Sequence, residues 1–236
     1  MINFFRKDRL QMLSKNKFSK YLLYAIGEIV LVVIGILIAI QINNWKQLNV
    51  ENKLERKYLN NLITELKQDS IGLKNNYLKL ERQARTKSLF LDMVKGKIQT
   101  DSIIEYFEYQ WQPIQPYVPI KSTYIEMSAN SHLRIIRDDM IRERIIKFYN
   151  SYEALEKEED FLTQTSTENV LNMISERLPD MSNYSIDDIM SLRHDTHLLN
   201  TIQLNGAYTR RDNYKKTITD CSTLIAHIKE YQSTLN

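Results

Sequence analysis

Apolar positions follow two patterns along the chain. Between Tyr21 and Ile42 they are nearly continuous: YLLYAIGEIVLVVIGILIAIQI holds one ionisable residue, Glu28. A helix of about 22 residues, rising about 1.5 Å per residue, matches a bilayer hydrocarbon core of about 30 Å. This run therefore predicts a membrane-spanning helix. Beyond Ile42 the apolar residues recur every three or four positions, the spacing of an amphipathic helix. The first stripe is Leu54, Tyr58, Leu62, Leu66, Leu73, Tyr77, Leu80, Ala84 and Leu91. No proline separates it from the span, so the membrane helix is expected to run on to Val94, with Gly96 as its C-terminal cap. A second stripe opens at Asp138 with Ile141, Ile145, Phe148, Tyr152, Leu155 and Leu162. A third, Leu199, Ile202, Gly206, Tyr214, Ile218, Cys221, Ile225 and Ile228, predicts one helix from Thr196 to Gln232.

Chain breakers are scarce, with five glycines and four prolines in 236 residues, and that scarcity favours long helices. Gly72 reads as a weak point in the first helix and not as a stop. Short helices are expected at Ser102–Tyr109, opened by Asp101 or Thr100, at Tyr124–Ser128, opened by the capping box Thr123-x-x-Glu126, and at Ile186–Leu192. Between the first two, Pro113, Pro116 and Pro119 predict an extended connector with Trp111 and Tyr117 packed down. The polar TQTST at 163–167, followed by a second capping-box match at Thr165-x-x-Glu168, sets a break against a bend; we read a continuous helix, bent there, that ends at Pro179. No strand pattern competes. The predicted fold is all-α: one N-terminal transmembrane helix continuing into an antiparallel helical bundle of three long and two or three short helices. Residues 1–20 form a basic head, 21–42 the span and 43–236 the bundle.

Glu28 does not prevent insertion. An acid near a helix centre costs about 3 kcal/mol, whereas each Leu, Ile or Val contributes about −0.3 to −0.6 kcal/mol. The run holds fourteen of these, and the sum favours the membrane. It is too long for a signal-peptide core, and no small-residue cleavage site follows it. Tyr21 and Trp45 at its edges suit the two interfaces.

The head carries six basic residues against Asp8, while Asn43–Lys57 carries four with two acids. Basic residues mark the cytoplasmic side. The head is therefore expected inside and the body outside, periplasmic in a Gram-negative inner membrane. Ile2, Phe5, Met12 and Leu13 would share one side of a helical head lying on the lipid surface. The formal charge of +3 resides in the head, since beyond Glu28 the chain has 26 basic and 27 acidic residues. A body with net charge −1 lacks the field that phosphate backbones need, which argues against nucleic acid as a partner. The single cysteine, Cys221, permits no intramolecular disulfide and falls on a buried stripe, as a packed thiol does.

The candidate chemistry is thin. No glycine-rich phosphate loop occurs, and no cofactor motif. His194-Asp-Thr-His197, near Asp187 and Asp188, has a spacing that can hold a metal, but it equally opens a helix. Glu156, Glu158, Glu159 and Asp160 read as a solvated helix face, and His132 and His227 lack a local partner motif. No catalytic, cofactor-binding or metal residues are assigned. The span is richer. Tyr24, Glu28, Leu31, Gly35, Ala39 and Ile42 share one stripe, and Gly35-x-x-x-Ala39 is a small-xxx-small match that lets helices approach closely. An acid inside a span points to function. This face is expected to pack on another helix, its own copy's or another membrane protein's.

The segment KYLLYAIGEIVLVVIGILIAIQINNW, Lys20–Trp45, resembles the opening of an uncharacterised family of single-pass envelope proteins of Bacteroidota, through Gly27, Glu28, Gly35 and the Gln41–Trp45 exit. Ser122–Glu153 resembles the same family's second helical block, although Asn130 or Ser131 stands where relatives often carry a turn glycine. The resemblance implies an inner-membrane protein with a helical periplasmic domain and brings no catalytic residues. The reading adopted is a membrane-anchored interaction or scaffolding protein. The short head, the span with an acid near its start and the large outer domain are also similar to the smaller subunits of ion-driven stators, though those carry Asp and a wall-binding domain. An enzyme using the His194–His197 region is the third reading.

Overall fold

The computed structural model describes residues 18–235, apart from the side chains of 18–20 and 165–167. The basic head through Lys17 lies outside the described residues. Those described are helical, without strands. In order they form α1 (Phe18–Val94), α2 (Ile103–Trp111), α3 (Ser122–Ala129), a 3-10 turn (His132–Ile135), α4 (Asp139–Leu162), a π-helical segment (Thr163–Glu168), α5 (Asn169–Ser175), α6 (Ile186–Ser191), a second 3-10 turn (Leu192–His194), α7 (Thr196–Gln203) and α8 (Ala207–Thr234). The described chain divides into two units, one ending at Leu54 and one starting at Glu55.

The first unit is the early part of α1. Among the described residues α1 is the one helix long and apolar enough to cross a membrane, and none of its most apolar stretch is buried. The helix passes Asn43–Asn44 unbroken and reaches 77 residues. Its end is a Schellman closure. Gly96 takes a φ of +75°, its N–H bonds Met93 O at 2.8 Å, and Lys97 N–H bonds Asp92 O at 2.9 Å, which occupies carbonyls the helix end would leave open.

The second unit is built on the rest of α1. The predicted stripe is its core face: Tyr58, Leu62, Leu66, Leu73, Leu80 and Ala84 are all buried. α4 and α8 pack on each other, with Arg144 meeting His227 and Glu159 meeting Arg210; the two helices therefore run in opposite senses. Tyr149 of α4 stacks on Tyr124 of α3 with centroids 4.3 Å apart, and Phe148 and Tyr152 pack beside it. Phe90, Val94, Ile103, Phe107, Val170, Ile174, Ile189, Leu198 and Ile202 form one core cluster that joins the end of α1 to α2, α5, α6 and α7. Three starts are capped from the side chain: Asp138 accepts from Ile141 N–H, Ser185 from Asp188 N–H, and Asp195 from Leu198 N–H. Each satisfies a donor that the first turn leaves unpaired.

Several expectations are corrected. The last helix is broken. Gly206 takes a φ of +69° between α7 and α8, a left-handed conformation suited to glycine, and an added Cβ would lie 3.2 Å from Leu162 Cδ2. Among the described residues the separate short α-helices number four, α2, α3, α6 and α7, not two or three. The expected capping box at Thr123 does not form, and the match at Thr165 lies outside the described side chains. α3 starts a turn's edge earlier than predicted, after Lys121, with no side-chain cap, because Thr123 Oγ1 donates to Glu65 and Glu126 accepts from Tyr58 OH. Across 163–168 the helix continues as expected, through the π segment into α5, and accommodates the polar insert without a break. α5 stops at Ser175, before Pro179. α2 starts after Ser102, which makes no side-chain cap.

Gly72 is a site of close approach. A Cβ placed there would fall 2.0 Å from Tyr117 Cε2. That ring cannot retreat easily, because Tyr117 OH donates to Asp69 at 2.8 Å and Tyr117 N–H donates to Tyr214 OH at 2.9 Å. Gly72→Ala gains about 1 kcal/mol of helix propensity but forces overpacking that costs about 1–3 kcal/mol. The expected outcome is a lower thermal midpoint by circular dichroism of the full chain in detergent; a higher midpoint would contradict this packing.

Candidate functional site

The stripe Tyr24, Glu28, Leu31, Gly35 and Ala39 lies on α1, four residues or three apart, so it forms one strip of helix surface. Its residues are exposed. Tyr24 is 64% and Leu31 73% exposed, and a Cβ added to Gly35 would meet nothing within 4 Å. Leu, Ile and Val surround the strip on the other sides of the helix. The small residues thus form the shallow line along which a second backbone can approach.

The body holds polar groups buried in the gaps of its apolar stripes. Asp69 is fully buried on α1. Its Oδ1 accepts from Tyr117 OH at 2.8 Å and Ile120 N–H at 2.9 Å, and its Oδ2 accepts from Tyr152 OH at 3.0 Å. Burial raises its pKa, and the three donors partly oppose the rise. The proline-rich connector is therefore tied to α1 and α4 through one carboxylate. The tie continues to α8 through Tyr214 OH, which accepts from Tyr117 N–H and from Asn76 Nδ2.

Glu159 corrects another expectation. It is not part of a solvated acidic face; its side chain and that of Arg210 are each 2% exposed and pair at 2.9 Å. Arg210 Nη2 also donates to Ile114 O in the connector at 2.9 Å. Glu156 pairs with Lys121 at 2.7 Å. Buried Glu55 accepts from Tyr231 OH at 2.6 Å and Arg137 N–H at 2.9 Å. Lys121 and Glu156 are half-exposed, whereas Glu159, Arg210 and Glu55 are buried and lock helices together. Cys221 belongs with them. It is buried, donates to Leu66 O at 3.2 Å, and burial pushes its thiol up to about 12, away from nucleophile chemistry.

Lys87 is 2% exposed. Its ammonium donates to Gln203 O at 3.0 Å and Asn205 Oδ1 at 3.2 Å, and sits 4.2 Å from the Tyr208 ring centroid. It thus clasps the turn between α7 and α8. Burial pulls its pKa down to about 8. Between that value and the usual 10.5 the unfolded chain binds more protons than the folded one, so stability rises with pH. Below pH 8 the burial cost is present in full. Relative to Lys87→Met, the natural chain should gain up to about 1.4 kcal/mol per pH unit between pH 8 and 10. Urea unfolding of both chains at pH 7.5 and 9.5 checks this, and an unchanged difference would contradict it.

The histidine region does not assemble. His194 Nε2 accepts from Arg193 Nε at 2.9 Å, Asp188 closes the cap of α6, and Asp195 caps α7 and pairs with Arg177. Among the described residues no three His, Cys, Asp or Glu side chains gather as a metal set. His132 has a partner after all: its Nδ1 lies 2.7 Å from Tyr58 OH, across 74 residues of sequence.

No curated protein and no solved structure matches the chain. A family model does match, over a stretch that holds Glu28, Leu31, Gly35 and Ala39 of the span together with Asp69, Tyr117 and Tyr152 of the buried tie. That stretch, residues 28–154, is more than half of the 236 residues, and the chain belongs to the Family of unknown function (DUF6090).

Proposed function

We propose that this chain is a membrane-anchored helical interaction or scaffolding protein of the bacterial cell envelope, without catalytic activity. Residues 21–42 would hold it in the inner membrane, with the head cytoplasmic and the body a periplasmic antiparallel bundle. The observation that carries the reading is the exposed Tyr24–Ala39 strip, with an acid and a small-residue line on one face of the apolar helix. The body adds support, since its buried ionisable groups are engaged in tying helices together. The resemblance of Lys20–Trp45 to single-pass envelope proteins of Bacteroidota, and the six-to-four excess of basic residues in the head, favour the stated placement.

The strip assembles the chain with its own copy or with another membrane protein. Hydrogen bonds between membrane helices contribute about 1–2 kcal/mol, so Glu28→Leu should weaken association roughly 5- to 30-fold. Cross-linking and co-purification from native membranes in mild detergent measure it; unaltered association sinks the proposal. Glu28→Gln keeps a hydrogen-bonding group and should assemble nearly as well. The position of Glu28 also favours a second reading, a sensing or force-transmitting subunit in which this carboxyl moves a proton. That reading requires Glu28→Gln to abolish function while assembly survives.

A further inference from the structure

We propose that the groove between α4 and α8 binds a small phosphate-bearing anion. The groove has a volume of about 530 Å³, within the range of small-molecule sites, about 300–1,000 Å³. Arg144 and Lys147 enter it from α4 and Lys216 and His227 from α8, while Asp220 is the one acid lining it. Buried Phe148 and Leu224 form an apolar floor. Three cations thus converge on one acid, in a body where acidic residues slightly outnumber basic ones.

Unlike four arginines elsewhere in the body, the groove's cations have no carboxylate partner among the described residues. Arg137, Arg177, Arg210 and Arg211 each pair with a carboxylate. Among the described residues Lys147 and Lys216 make no ion pair, nor does Asp220, and Arg144 donates to His227 Nε2 at 2.6 Å instead of to an acid. A guanidinium against an imidazole leaves the charge of Arg144 uncompensated. A phosphate offers what this set lacks: several oxygens, a charge near −2, and a geometry that the guanidinium fork can grip at two atoms while the ammoniums take the others. The apolar floor beside the cations suits the organic part of a phosphate monoester.

The test uses the full chain in a neutral detergent at constant ionic strength, titrated calorimetrically with phenyl phosphate, inorganic phosphate and benzoate. Phenyl phosphate should bind saturably, with one site per chain. Arg144→Gln and Lys216→Gln should each weaken it about tenfold or more with an unchanged thermal midpoint, whereas Lys229→Gln, on α8 outside the groove, should leave it unaltered. Inorganic phosphate binding as tightly as phenyl phosphate supports the cradle with free phosphate as its ligand; weaker binding supports a monoester. Benzoate binding equally well, no saturable binding of either phosphate, or binding indifferent to Arg144 and Lys216 overturns the proposal.

Discussion

Arg210→Met should destabilise the body by about 3–5 kcal/mol, the usual penalty when one partner of a buried ion pair is removed. The Glu159 carboxylate would stay buried, with the guanidinium that now gives it donors at 2.9–3.2 Å gone. Ile114 O would also lose its donor, which frees one end of the connector. The pair's own net contribution is a different quantity. Taking both charges out of water costs nearly what their attraction returns, so Arg210→Met combined with Glu159→Leu should recover most of the loss. Urea unfolding of the two variants and the natural chain, followed by circular dichroism, separates these effects. A single variant as stable as the natural chain would mean that the pair is solvated.

The second large effect is expected at Asp69. Asp69→Ala leaves Tyr117 OH, Tyr152 OH and Ile120 N–H without their acceptor, and each orphaned buried donor costs about 1–3 kcal/mol. Partial relaxation brings the expected loss to about 3–5 kcal/mol. Asp69→Asn preserves the volume and one carbonyl acceptor, and Tyr152 can turn its hydroxyl to accept, so it should cost far less. The two also differ in pH dependence. Because burial raises the pKa of Asp69, the folded chain holds the proton to higher pH than the unfolded chain does. Its contribution therefore favours folding at acid pH and is lost as pH rises through the folded value. Asp69→Asn should remove that slope. Unfolding midpoints across the acid range check it, and a slope unchanged by Asp69→Asn would contradict the assignment.

The pairings at these sites were not legible in the sequence for a common reason. Helical periodicity identifies which positions are apolar, and it placed the core face of α1, the Gly96 closure, the Asp138 cap and the buried Cys221 correctly. It puts Asp69 and Glu159 in the gaps of the core stripes, but it does not name the distant segment that each one meets. Asp69 meets Tyr152 across 83 positions, and Glu159 meets Arg210 across 51. Glu159 lies on the core stripe between Leu155 and Leu162, and exposed Glu158 beside it does not. The capping box at Thr123 failed for the same reason: Glu65 and Tyr58 on α1 captured both of its side chains. Gly206 lies on an apolar stripe and Gly72 beside one, yet Gly72 admits the Tyr117 ring and Gly206 turns the chain between α7 and α8. Only a three-dimensional neighbour separates those roles. The span strip needs only one helix to share a face, so its geometry could be read from spacing alone.

The proposal that this strip is the contact surface of an assembly can be examined at two aliphatic positions. A photoreactive residue in place of Leu31 lies on the strip, and one in place of Val33 lies on the opposite side of α1. Irradiated in native membranes, the first should give a discrete cross-linked protein product and the second only lipid adducts. Equal cross-linking at both positions, or lipid adducts alone at residue 31, would contradict the account.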